Sequence, residues 1–133
     1  MDEVEVALNN NKNEGILKHT KQSIQQKKKD IIHELFSVKE RKEILQKLKE
    51  YRHVDEMNDI RVGCYARWID VEKKTLANGG IIIKVDIGEN GIYVVLKNGY
   101  KIFTILFDHV FLFQKITNQE HIILSIIDKI NKG

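Results

Sequence analysis

The stretch Arg61–Lys115, RVGCYARWIDVEKKTLANGGIIIKVDIGENGIYVVLKNGYKIFTILFDHVFLFQK, decides the fold. Short apolar runs alternate in it with glycine and asparagine turns. Cys64, Ala66 and Trp68 alternate with Tyr65, Arg67 and Ile69, which predicts a strand over 62–70. The polar excursion Asp70-Val71-Glu72-Lys73-Lys74 follows, then the turn Asn78-Gly79-Gly80, whose glycines tolerate positive φ. A second strand runs over 81–87 with Ile81, Ile83, Val85 and Ile87 on one face. Past Gly88-Glu89-Asn90-Gly91, a third strand alternates Ile92, Val94 and Leu96 with Tyr93 and Val95. Asn98-Gly99 is a type I′ hairpin signal. Tyr100–Phe107 is the fourth strand, Asp108-His109-Val110 a short helical turn, and Phe111–Lys115 the fifth strand. Five short strands joined by tight turns predict a small, strongly bent antiparallel barrel over 61–116. Phe103, Ile105 and Phe107 oppose Ile102, Thr104 and Leu106, so both faces of the fourth strand are apolar. One face fills the barrel and the other needs a cover.

The segments on either side are helical in pattern. Thr117-Asn118-Gln119-Glu120 matches a capping box. Behind it Ile122, Ile123, Ile126, Ile127 and Ile130 form one stripe of a helix over 117–131, expected to pack on the barrel. On the N-terminal side, residues 15–57 contain no proline, and Leu17, Ile24, Ile31, Val38 and Leu45 recur every seven residues, with Leu35 and Leu48 beside them. This stripe is the candidate surface for oligomerisation or partner docking. Thr20, Lys27, Glu34 and Arg41 occupy the companion seam, which a regular two-stranded coiled coil would fill with apolar groups. The spacing predicts one continuous or gently broken helix. Ser37 and Glu40 form a second capping-box match and offer the alternative, a hairpin of two helices. His53–Asp59 reads as a linker, and the acidic, asparagine-rich residues 1–14 as a mobile, disordered tail. The fold class is α+β: a long N-terminal helical segment, a five-stranded antiparallel barrel and a C-terminal amphipathic helix.

Composition narrows the function classes. The 133 residues suit one compact domain with an extension. A single cysteine, Cys64, excludes an internal disulfide and a multi-cysteine zinc site. No apolar run reaches the roughly 18–20 residues of a membrane span, and the acidic start MDEVEVALNN is not that of a signal peptide. An intracellular location is expected. The net charge of +3 is distributed as −3 over residues 1–15, +3 over 16–60 and +3 over 61–133. Isoleucine, lysine and asparagine make up 48 of the 133 residues, a bias typical of an AT-rich genome, so part of the lysine content reflects base composition.

Three residue groups are candidates for chemistry. Lys21, Lys27, Lys28 and Lys29, in a stretch without acids, are candidate nucleic-acid contacts, since neutralised phosphates release counterions. No aromatic residue is interleaved to stack on bases, and a solvated helix face is the simpler reading. Tyr65, Trp68, Tyr93, Tyr100 and Phe103 are the aromatics of this region; Trp68 reads as core, and Tyr65, Tyr93 and Tyr100 are the candidate ligand-binding residues. Grouped at one barrel end, such rings would cage a methylated cation. The five histidines, His19, His33, His53, His109 and His121, lack metal-ligand spacing, and no nucleophile is matched to a base. No catalytic residue, metal or cofactor is assigned.

The barrel stretch resembles an SH3-like or Tudor-type domain, carried by VGCYARWID, NGGIIIKV, GIYVVLKNG, YKIFTILF and the DHV turn before FLFQK. The layout is also similar to small proteins of nucleocytoplasmic large DNA viruses, through Gly63, Tyr65, Arg67, Trp68, Ile69, Gly79, Gly80, Tyr93, Val94, Leu96, Asn98 and Gly99. That resemblance implies an abundant virion or capsid-associated component; the helix over 16–52 is expected to mediate oligomerisation or bind neighbouring proteins, with the barrel as a rigid docking module.

Overall fold

The computed structural model describes the backbone of residues 2–132 and side chains as far as Asn131. Four α-helices, α1 (Glu3–Asn9), α2 (Lys21–Leu35), α3 (Val38–Lys47) and α4 (Asn118–Lys132), accompany six strands. The strands are β1 (Tyr51–Val54), β2 (Tyr65–Asp70), β3 (Gly80–Gly88), β4 (Gly91–Asn98), β5 (Lys101–Leu106) and β6 (Val110–Lys115). The α+β class and both flanking helical regions are therefore as expected.

The closed five-stranded barrel is not. The strands form one six-stranded antiparallel sheet in the order β1-β6-β2-β3-β4-β5, with β1 and β5 as its two edges. The sixth strand is β1, in the region read as helix and linker. Tyr51–Val54 pairs with Lys115–Leu112 and takes the flank of β6. Both edges of the sheet still contribute to one shared core cluster. Val54 from β1 and Phe103 and Ile105 from β5 meet there with Ala66, Trp68, Ile82, Val94, Leu96 and Leu112.

Local chemistry sets the turns. In β3 the register slips between Ile82 and Lys84, so Ile82 is fully buried while Ile81 and Ile83 stay about half exposed. This bulge corrects the single-face reading of Ile81, Ile83, Val85 and Ile87, because it swaps the side-chain parity halfway along the strand. The β4–β5 hairpin pairs Asn98 with Lys101, leaving Gly99-Tyr100 as the loop. Gly99 has φ +62° and Asn98 is not left-handed. The turn is thus of the glycine-first II′ kind rather than the Asn-Gly I′ kind. Tyr100 stands fully exposed at its tip.

The outer face of the sheet is covered where the chain supplies helices. Ile31, Ile32, Phe36 and Leu48 from the α2–α3 region bury Ile69 of β2 and Phe113 of β6. The N-terminal region is a hairpin, not a continuous helix. Helix α2 stops at Leu35, Phe36 is extended at φ −123°, and α3 restarts after Ser37. The break lies where Ser37 and Glu40 signalled it, although the Ser37 hydroxyl donates to the Glu40 carboxylate (3.1 Å) and accepts from no backbone N–H of the first turn. Helix α4 packs on this N-terminal layer instead of on the sheet. Ile123 and Leu124 join Ala7, Ile16, Ile24 and Ile116, and the Thr117–Glu120 capping box forms in both directions. Residues 2–14 are likewise not a free tail. Asp2 caps α1, Ala7 is buried, and the buried Asn13 amide donates to the Ala7 carbonyl at 2.8 Å. A few small contacts suffice because Ile123, Leu124 and Ile127 of α4 supply the other wall, while Ile130 of the expected stripe stays exposed.

Candidate functional site

Strand β3 enters the sheet from the tight Asn78-Gly79 corner, and β5 enters it from the Gly99-Tyr100 turn. Between these two loops lies a groove of about 580 Å³, lined by Trp68, Ala77, Asn78, Gly79, Asn98, Tyr100, Lys101 and Phe103. Trp68 and Phe103 meet edge-on with centroids 5.5 Å apart, a stable aromatic geometry, and form the floor. The walls are tied by side-chain amides and a phenol. Asn98 Nδ2 donates to the Gly79 carbonyl at 2.9 Å, and the Tyr65 hydroxyl donates to the Asn78 carbonyl at 3.1 Å. Lys101 is the only charged residue in the lining. The sheet face behind it stays uncovered: Ile102 is 62% exposed, on the face it shares with Lys97 and Ile81.

A second constellation sits at the opposite end of the core. Arg52 of β1 is only 2% exposed, and its Nη2 lies 3.7 Å from Oε2 of Glu120, itself 1% exposed. Arg61 Nη1 reaches the same oxygen at 3.7 Å and donates to Asn13 Oδ1 at 3.0 Å. Nε and Nη1 of Arg52 have no hydrogen-bond partner. Gln114, fully buried, accepts from the Arg61 amide and donates to the Asp59 carbonyl, fixing the loop that carries Arg61. None of Arg52, Asp59, Arg61 or Glu120 stood out in the sequence. Their one local signal was the capping-box position of Glu120.

His53, the neighbour of Arg52, faces the helices. Its ring lies 5.8 and 5.6 Å from those of Phe111 and Phe113, and burial pushes its pKa down to about 4. The imidazole is neutral in the folded chain. Between pH 6.5 and 4 the unfolded chain binds a proton that the folded chain refuses, so stability falls as the pH drops through that window. From this residue we expect a loss of about 2–3 kcal/mol between about pH 7 and pH 4. His53→Phe keeps the packing and should lose correspondingly less in urea unfolding at the two pH values. Equal losses would assign the acid sensitivity to other groups.

The residues singled out from sequence are scattered. Ile24, Ile31 and Leu48 are buried in the chain's own core, and Leu35 and Leu45 pack against it. Leu17 and Val38 are exposed, at 49% and 78%, but on different elements. The seven-residue repeat is thus spent mostly on intramolecular packing. Among the lysines, Lys28 is 1% exposed and donates to the Leu48 and Tyr51 carbonyls at 2.8 and 2.9 Å, closing the end of α3, while burial lowers its pKa to about 8. Lys27 pairs with Asp55 at 3.0 Å. Of the four candidate lysines, Lys21 and Lys29 are exposed with no salt bridge among the described residues, so the basic run does not form one phosphate-facing row. Of the tyrosines, Tyr100 lines the groove and Tyr65 braces its wall. Tyr93 lies at the far end of β4, its ring against Gly88, so the three do not form a cage. Cys64 is half-buried and burial raises its thiol pKa, as suits a packing residue.

No protein-family model, curated protein or solved structure matches this chain.

Proposed function

We propose that this protein is a non-catalytic docking module that takes an extended segment of a partner protein, apolar with acidic flanks, in the Trp68–Tyr100–Phe103 groove. The observation that carries the reading is the aromatic lining itself. Aromatic side chains with limited rotamer freedom make large contacts at low entropic cost, and Tyr100 is fully exposed where no core contact requires it. The charge of the partner follows from the rim. Lys101 lines the groove, and no acid is among the lining residues. The free edge of β5, the strand that carries Lys101 and Phe103, borders the groove and offers backbone groups to an extended chain. An assembly role, including a place in a virion, is the setting suggested by the resemblance of the barrel stretch to virion-associated proteins.

Trp68 is the sole tryptophan and sits in the groove, so its emission reports occupancy directly. We expect an array of acidic, leucine- and proline-containing peptides to yield members that change Trp68 emission with one-site saturation. Tyr100→Ser and Lys101→Glu, both at exposed positions, should weaken that binding by about tenfold or more while leaving the circular dichroism spectrum unchanged. The reading fails if no peptide saturates the signal. It fails equally if oligonucleotides bind in place of peptides, or if both variants bind as tightly as wild type.

A further inference from the structure

The Arg52 constellation opens on a cleft of about 560 Å³ lined by Lys12, Glu14, Gly15, Lys18, Arg52, Asp59 and Arg61, among others. We propose that this cleft binds a small tetrahedral oxyanion of the phosphate class. A guanidinium that is 98% withdrawn from solvent and leaves Nε and Nη1 unpartnered is an expensive arrangement unless a ligand or ordered solvent completes it. Two guanidiniums share one carboxylate oxygen, each at 3.7 Å, longer than a charge-assisted hydrogen bond, so neither is saturated by Glu120. Gly15 lets the Asp59 carboxylate pack closely beside the cleft: an added Cβ would stand 2.5 Å from Asp59 Oδ1 and 3.4 Å from Arg52 Nη2. Lys18 and Lys12 stand in the same lining.

Two carboxylates in the lining shape the ligand as well. Asp59 is 7% exposed and held by Lys18 at 3.5 Å, and Glu14 lies on the 3₁₀ turn Asn11–Lys18. They disfavour a fully ionised anion and favour one that keeps a proton to donate. A phosphate monoanion has oxygens for the guanidiniums and hydroxyls for Asp59, whereas a carboxylate at neutral pH has no donor.

The test is titration of the full chain with inorganic phosphate at constant ionic strength, followed by ³¹P NMR and calorimetry, with acetate and chloride as comparison anions. We expect one-site saturation by phosphate, no saturation by acetate or chloride, and affinity reduced about tenfold or more in Arg61→Gln and in Lys18→Gln. Lys18 has a side chain 53% exposed, so its variant keeps the test valid should Arg61→Gln fail to fold. Absence of saturable phosphate binding overturns the proposal, as does unchanged affinity in the folded variants. Equal binding of acetate also overturns it, the cleft then being a carboxylate site.

Discussion

Replacing Glu120 with alanine is expected to lower stability by about 3–5 kcal/mol, read from urea unfolding. Two losses combine. Glu120 Oε1 accepts from the Thr117 amide at 2.9 Å, and its own amide donates to Thr117 Oγ1, so the first turn of α4 loses half of its capping box. The larger loss is electrostatic. Glu120 is the only carboxylate in ion-pair range of Arg52 among the described residues, and its removal leaves a guanidinium 2% exposed with no counter-charge. Breaking a buried pair by removing one partner is much more damaging than replacing both. The double variant Arg52→Met, Glu120→Leu should therefore recover most of the loss, although it forfeits the proposed anion site. A Glu120→Ala variant within about 0.5 kcal/mol of wild type would show that water already solvates the guanidinium.

Gly79→Ala should be comparably severe, at about 3 kcal/mol or more in the same measurement. Gly79 has φ +88°, and an added Cβ would stand 2.0 Å from the Ala66 carbonyl oxygen and 2.9 Å from its carbon. Both atoms are backbone in β2, so no side-chain rotation relieves the clash. The β2–β3 pairing at Ala66–Gly80 would have to part, and the Gly79 carbonyl would leave Asn98. Because this corner walls the aromatic groove, peptide binding should be lost with stability. Gly63→Ala provides the control. Its φ is +96° but nothing lies within 4 Å of the added atom, so the backbone term acts there alone and should cost about 1 kcal/mol. Equal effects at the two positions would refute the steric account.

The meander was legible because its determinants are local. Alternation in Ile92–Leu96, the glycine turns and the Asp108–Val110 helical turn need no distant partner to be read, and the structure places them within a residue or two. The bulge at Ile83 was not legible, since it depends on how Lys84 meets Val95 across the sheet. Strand β1 was missed for a related reason. Four residues, Tyr-Arg-His-Val, carry three polar or amphipathic side chains, and only pairing with β6 makes them a strand. The same displacement hid the charged constellation. Arg52 looked like one more basic residue at the end of a helix, and Glu120 like a helix cap. Their meeting across 68 positions is a product of tertiary packing. The groove was half visible. Trp68, Tyr100 and Phe103 were noted, but Trp68 was assigned to packing, whereas Trp68 and Phe103 serve both the core and the groove floor.

The placement of β1 beside β6 has a consequence for how the molecule is made. The β3–β4–β5 meander closes through turns of a few residues, but Tyr51 must wait for Lys115. Such a mixed contact order implies that the meander condenses early and that the outer strand zips on late, after the slower closure of a long loop. During synthesis, β1 and the helices before it emerge first, yet their pairing edge does not exist until β6 has left the ribosome. The α2–α3 hairpin must therefore hold its apolar face, Ile31, Ile32 and Phe36, without the sheet that finally covers it. In the nascent chain that face is the segment most exposed to chaperones and to aggregation.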